Sequence, residues 1–388
     1  MNFEISDDHK DIRQAVAALG RRFPDNYWME KDQKHEFPTE FYEAFADGGW
    51  LGVCVPEEYG GMGMGITEAS IILEEVAASG GAVSACTAVH GSIFGLEPVI
   101  KFGDENMKRE VLPRIVDGSL HVAFSVTEPD AGLDTTRITT FARRDGDKYI
   151  VNGRKIWTSK ALESEKVLLL TRTTKREDVE KPHQGMTLFL TDLKTAGVEM
   201  RAIHKMGRHA VSSAEIFIDD MEIPVEHRVG EEGRGFYYLL NGLNPERMLV
   251  AASALGIGRV ALKKAAAYAN QRVVFGRPIG MNQGIQFPLA KVQMELDAAE
   301  MILRKATWLY DNDKECGREA NTAKYLCAAA AFEATDRAVQ THGGMGYSAE
   351  YAVERYFREA RMLRITPVSE EMILNYIGQH VLGLPRSY

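Results

Sequence analysis

The apolar residues of this chain change period twice, from helical to alternating and back to helical, and few architectures accommodate that order. Up to about residue 120 the pattern is helical: residues 66–78 set Ile71, Ile72, Leu73 and Val76 among Glu68, Glu74 and Glu75. Glycine-rich breaks separate these helices, notably Tyr59-Gly60-Gly61-Met62-Gly63-Met64-Gly65. With no strand before it and its third glycine misplaced, that stretch does not read as a dinucleotide fingerprint. From about 121 to 228 short β-prone runs take over. Tyr149-Ile150-Val151 lies between the hairpin-type dipeptides Asp145-Gly146 and Asn152-Gly153, and runs at 167–171, 186–190, 198–203 and 214–218 follow. Beyond 229 long helices return, over 248–275, 284–311, 318–341 and 369–382, with Gly256 and Gly258 allowing close helix approach. The sequence thus predicts an α+β chain of three parts packed as one unit. These are a helical domain (1–120), a middle β-barrel or sandwich (121–228) and a C-terminal four-helix bundle (229–388).

Composition narrows the function. The 388 residues exceed what one compact core needs. A net charge of −9 argues against a nucleic-acid partner, because phosphate binding wants a basic face. Cys54, Cys86, Cys316 and Cys327 are scattered without a CxxC, which predicts no disulfide framework and a reducing, cytoplasmic location. The ten histidines form no HxH or HExxH, so no metal site is predicted. Met1-Asn2-Phe3-Glu4 opens no secretory pattern, and no apolar run approaches the ~18 residues of a membrane span.

Four segments offer chemistry, each with an ordinary explanation beside it. Phe124-Ser125-Val126-Thr127-Glu128-Pro129-Asp130-Ala131-Gly132-Leu133-Asp134 ends a β-prone run in a loop of hydroxyls and amides, which grips a pyrophosphate or serves simply as an Asx-rich turn. Asn152-Gly153-Arg154-Lys155-Ile156-Trp157-Thr158-Ser159 presents an indole that stacks on a ligand ring or fills a core. Arg272-Val273-Val274-Phe275-Gly276-Arg277-Pro278-Ile279, followed by Gln283, ends a helix with a cation that suits the macrodipole alone. Gln340-Thr341-His342-Gly343-Gly344-Met345-Gly346-Tyr347 is also an ordinary helix termination.

Together, in this order and spacing, these segments resemble the acyl-CoA dehydrogenase family. Pro56-Glu57-Glu58-Tyr59-Gly60-Gly61 and Gly230-Glu231-x-Gly233-x-Gly235-Phe236 add to a similarity that spans essentially the whole chain. The resemblance implies a homotetramer with one FAD per subunit, acyl-CoA as substrate and an electron-transfer flavoprotein as acceptor. It implies that Phe124, Val126, Thr127, Gly132, Trp157 and Ser159 surround the flavin, Ser159 standing where relatives usually carry threonine. Arg272, Phe275, Gln283, Gln340 and Gly344 are then expected to reach the FAD of a neighbouring subunit, with Ser369 and Glu371 beside the adenosine half. Leu133, Asn244, Arg247 and Tyr347 are expected to face substrate, Leu133 replacing a usual serine, and Gly91, Ser92, Gly95 and Thr366 to border the acyl cavity.

Desaturating a thioester needs a carboxylate to take the α-proton. Many relatives place it in a Glu-Gly-Thr motif near the C-terminus, where this chain has Pro367. A branch that includes isovaleryl-CoA and long-chain dehydrogenases carries it in a Leu-x-x-Glu-Arg context, matched here by Leu243-Asn244-Pro245-Glu246-Arg247. The resemblance therefore implies Glu246 as the base. On local grounds alone Asn244 would cap a helix, with Pro245 at its first position and Glu246 favouring that terminus. A lyase or desulfinase without net oxidation, and an oxygen-using oxidase, remain open on the same scaffold.

Overall fold

The computed structural model describes residues 6–387. Helices come first: α1 (Asp7–Gly20), α2 (Asp25–Lys34), α3 (Thr39–Asp47), α4 (Ile66–Val76), α5 (Ala82–Ile93), α6 (Glu97–Phe102) and α7 (Glu105–Val116). Taken together, 66–102 is apolar enough over 18 residues to cross a membrane by composition, contrary to the sequence expectation. Its environment decides otherwise, since 72% of that stretch is buried inside the protein. Gly80, at φ 104°, breaks the run between α4 and α5.

Eight strands follow: β1 (Val122–Ser125), β2 (Phe141–Asp145), β3 (Lys148–Ser159), β4 (Lys166–Arg172), β5 (Met186–Asp192), β6 (Val198–Ala202), β7 (Ser213–Pro224) and β8 (Arg228–Val229). They form one sheet in the order β6-β7-β3-β2-β4-β5-β8, with β1 parallel to β4. β3 and β5 are three steps apart, about 14 Å in a flat sheet. Yet the Tyr149 and Phe189 rings on them stand 4.9 Å apart, so the sheet rolls around a shared interior that also holds Val151, Leu169 and Ile216. The expected β2–β3 turn forms one residue on, at Gly146-Asp147, with Asp145 ending β2 opposite Lys148. Asn152-Gly153 does not turn. It lies within β3 at a register shift, where Gly153 lets the Thr140 backbone approach to a distance a Cβ would block.

Helices then return: α8 (Gly235–Gln271), α9 (Gln283–Asp311), α10 (Gly317–His342), α11 (Val353–Met362) and α12 (Glu370–Tyr376). The small hairpin β9 (Val273–Val274) and β10 (Arg277–Pro278) sits between α8 and α9. Two expectations change here. The helix predicted over 248–275 begins 13 residues earlier and ends before Phe275, which instead tips the hairpin with φ 53°. The helix predicted over 369–382 stops at Tyr376 and continues as a wider turn, Ile377–Val381. α8, α9 and α10 pack on one another, and α8 and α9 also pack on α4. A Cβ on Gly256 would meet the Glu74 carbonyl, and one on Gly258 would meet Ala331.

Candidate active site

The loop after β1 is held by a buried ion pair. Lys155 Nζ donates to Glu128 Oε1 and to the Val126 carbonyl, both at 2.9 Å. Glu128 also accepts from the Thr139 amide (2.6 Å), the Thr139 hydroxyl (2.9 Å) and the Thr140 amide (3.0 Å). Burial alone would raise the Glu128 pKa, but Lys155 and these donors bring it below the usual carboxylate range. Burial takes Lys155 down to about 8 against the attraction of Glu128. Two further links tie the loop to β3: Ile156 N donates to the Thr127 carbonyl at 3.0 Å, and Ser125 and Thr158 share a hydroxyl bond at 2.8 Å.

This frame presents an aromatic plane. Trp157 sits at a second register shift in β3, with φ 62° and 54% of its surface exposed. A bulky residue in the left-handed region is strained, and such strain persists only where the surroundings impose it. Phe124, on β1, is also exposed, while Val126 and Thr127 are half-buried. Ser159 Oγ accepts from Arg208 Nη2 at 3.1 Å and makes no other side-chain bond among the described residues. Gly132 and Leu133 face open space, with nothing within 4 Å of a Cβ on Gly132. An exposed indole beside a hydroxyl that still has a proton to give fits a flat ring with acceptor atoms along its edge.

Glu246 lies on α8. Asn244 and Pro245 do not begin a helix as local signals suggested, because α8 starts at Gly235 and Pro245 falls inside it. The Pro245 ring leaves the Asn241 carbonyl without its helical donor, the usual cause of a bend. The carboxylate of Glu246 is partly exposed and pairs with His90 Nε2 at 2.6 Å. Burial would lower the His90 pKa, but the Glu246 carboxylate outweighs it and raises the imidazole above its ordinary value. His90 reaches this point because α5 is anchored by α11. Glu359 accepts from the Ser84 amide and hydroxyl, both at 2.8 Å, and from Arg355 Nη1 at 3.0 Å, while Arg355 Nη2 holds the Gly80 carbonyl at 2.5 Å. Next to the base, Arg247 Nη1 donates to Asn244 Oδ1 at 2.9 Å, and its Nε is buried without a partner. Pro367 is exposed and has no acid–base group.

Other expected residues lie apart from this cluster. Arg272, Gln283, Gln340 and Gly344 are exposed, as is Phe275 at 99%, and none of the three long polar side chains bonds to another described residue. Ser369 caps α12 through the Met372 amide, and Glu371 follows in its first turn. Tyr347 is highly exposed and lines an open depression with Asp32, His35, His209 and Arg358, away from the Glu246–His90 pair. Ser92 is buried on Tyr42 at 3.0 Å, Gly91 is nearly open, Gly95 abuts the backbone of Gly91, and Thr366 bonds back to Met362. Sequence reasoning missed His90 and Arg208. The small residues after His90 hinted at a cavity wall, but no local signal marked either side chain.

Three family models cover nearly the whole chain: the acyl-CoA dehydrogenase N-terminal domain over 6–119, middle domain over 123–221 and C-terminal domain over 233–382. The chain is 39% identical to acyl-CoA dehydrogenase FadE12 of Mycobacterium tuberculosis, over 100% of this chain and 99% of that one. It is 35% identical to cyclohex-1-ene-1-carbonyl-CoA dehydrogenase of Syntrophus aciditrophicus, over 98% and 91%. Among solved structures, butyryl-CoA dehydrogenase from Megasphaera elsdenii superposes with a TM-score of 0.92 at 31% identity, covering 98% of this chain and 100% of that one. The chain belongs to the acyl-CoA dehydrogenase family, oxidoreductases that act on acyl-CoA.

Proposed function

We propose that this protein desaturates an acyl-CoA thioester between its α and β carbons, with Glu246 as the base that removes the α-proton. The observation that carries this reading is the Glu246 carboxylate itself: partly exposed, held by His90 at 2.6 Å, and one residue after Pro245 inside α8. His90 holds one carboxylate oxygen and leaves the other to take the proton. FAD, when bound, supplies the acceptor for the hydride lost from the β-carbon. Phe124, Val126, Thr127, Gly132, Trp157 and Ser159 would hold its ring. Arg272, Phe275, Gln283, Gln340 and Gly344 would reach it from a second copy of the chain, their exposure and free polar groups supporting a role across a subunit boundary. Ser369 and Glu371 would lie by the adenosine half, and Leu133, Asn244, Arg247 and Tyr347 by the substrate. We take the assembly to be a homotetramer and the acceptor an electron-transfer flavoprotein. The four free cysteines support a cytoplasmic location.

Anaerobic addition of an acyl-CoA panel is expected to bleach the flavin, and the chain length that bleaches fastest identifies the substrate. Glu246→Gln should retain flavin and lose bleaching; full bleaching in that variant would sink the assignment. Slow reoxidation in air with rapid turnover on added electron-transfer flavoprotein is expected, whereas stoichiometric peroxide would identify an oxidase instead.

A further inference from the structure

Arg208 is a half-buried cation without an acid. It lies between β6 and β7, with φ 58°, a conformation that costs an arginine about 1–3 kcal/mol. Among the described residues no carboxylate stands within ion-pair distance of it, nor of its neighbours Lys160 and Lys205. Its partners are three hydroxyls from three elements: Ser213 of β7 at 2.9 Å, Ser159 of β3 at 3.1 Å and Thr87 of α5 at 3.4 Å. Its Nε is buried and unpartnered. Burial moves the guanidinium down to about 10, with Glu359 and Glu163 pulling the other way, so it stays charged at neutral pH. Charged groups are rarely buried without a counter-charge, since desolvation is then uncompensated.

The hydrogen-bond arithmetic says what this charge faces. A guanidinium only donates, so each hydroxyl that accepts from it must send its single proton elsewhere. Thr87 sends its proton to the Val83 carbonyl at 2.8 Å. Ser159 and Ser213 are cross-strand partners, but Ser213 is fully buried, whereas Ser159 is accessible two residues after the exposed indole. The proton of Ser159 has no acceptor among the described residues, which leaves it free to point outward beside the exposed indole. A carboxylate on the substrate would instead want two N–H groups of the guanidinium in a fork, and each such fork needs an Nη2 proton, both of which are taken by Ser159 and Ser213.

We propose that Arg208 is a positioning residue that directs the Ser159 O–H at the flavin and sets a fixed positive charge behind it, making the bound flavin easier to reduce. The inference rests on the flavin assignment above. A cation close to a group that gains electrons, in surroundings of low dielectric, favours the reduced state.

The test is a dithionite titration of the purified holoenzyme, which needs no acyl-CoA. Arg208→Gln should make two-electron reduction about tenfold less favourable, a fall of ~30 mV in midpoint potential. Arg208→Lys should keep most of the wild-type potential. Ser159→Ala should lower it, and combined with Arg208→Gln should lower it by less than the sum, because the two act through one bond. Wild-type potential in Arg208→Gln with full flavin content would overturn the proposal, as would a loss confined to binding of thioesters that carry a terminal carboxylate. If Arg208→Gln retains no flavin, the Lys and Ala variants decide: a lowered potential for Ala alone supports the proposal, and wild-type potential in both overturns it. Wild-type enzyme that holds flavin but is bleached by no acyl-CoA would refute the desaturation reading while leaving this measurement intact.

Discussion

At the scale of single residues, the base and its partner come from positions 156 residues apart, on α8 and α5. His90 makes the pair sensitive to pH. Its pKa is raised in the folded protein, so the stability it contributes is complete below the ordinary imidazole value of about 6.5 and is lost as pH rises through the raised value. Melting curves at pH 6 and pH 9 should show His90→Asn less stable than wild type at the lower pH, with the gap closing at the higher. The same variant frees the Glu246 carboxylate to swing, and a misplaced base should slow anaerobic bleaching by about 10- to 100-fold. The Glu128–Lys155 pair makes a second prediction. Lys155→Met leaves Glu128 buried and uncompensated, and urea unfolding should register a loss of about 3–5 kcal/mol. Adding Glu128→Gln should restore part of it. Neither pair was legible in the sequence. Glu128 stood within a recognisable motif, but Lys155 reads as one more charge in a hairpin, and contacts across so many residues leave no local period. The positions that did read correctly in kind were those whose neighbours impose a pattern, such as Gly256 and Gly258 at the crossings of α8.

At the scale of elements, the clearest disagreement between pattern and structure is the start of α8. Asn244-Pro245-Glu246 looks like a cap, a first-turn proline and an acid placed for the helix terminus. The helix runs through it because the packing of Tyr238, Leu239, Met248 and Leu249 outweighs one missing hydrogen bond. A proline inside a helix costs stability and is expected to bend the backbone, here beside the base. Pro245→Ala should therefore stabilise the protein by roughly 2–3 kcal/mol, the ~3 kcal/mol propensity gain less the ~0.4–1 kcal/mol of entropy returned to the unfolded chain. It should also slow bleaching, because straightening the helix moves Glu246 relative to His90. Unfolding curves and stopped-flow bleaching on the one variant check both. A gain in stability without loss of rate would show that the bend does not position the base. The strands were easier to place, since runs such as β4 and β5 are bounded by turns. β7 outran its predicted 214–218 because its outer half alternates with exposed acids, Asp219, Asp220 and Glu222, that hid the period.

For the whole molecule, one part of the exposed apolar surface is ordered along a single helix. On α9, Phe287, Met294, Met301 and Trp308 recur every seven residues and are between 45% and 65% exposed. Seven-residue spacing puts them along one face of the helix, the seam along which helices of separate chains pack. The same end of the chain carries Val273, Val274 and Phe275 on the β9–β10 hairpin, also exposed, beside Arg272. An exposed stripe this long is a liability for a monomer and an interface for an oligomer. If the hairpin also completes the flavin site of a neighbour, assembly and cofactor retention are one equilibrium, because a ligand held across subunits stabilises only the assembled form. Replacing Phe287 and Met294 together by glutamate buries like charges in that seam, and sedimentation velocity should show dissociation to smaller species. Flavin content, read from the absorbance ratio of the purified protein, should fall in step with the fraction dissociated and recover when high protein concentration restores assembly. Dissociated protein that keeps a full complement of flavin would show that each chain holds its cofactor alone, and would remove Arg272, Phe275, Gln283, Gln340 and Gly344 from the site.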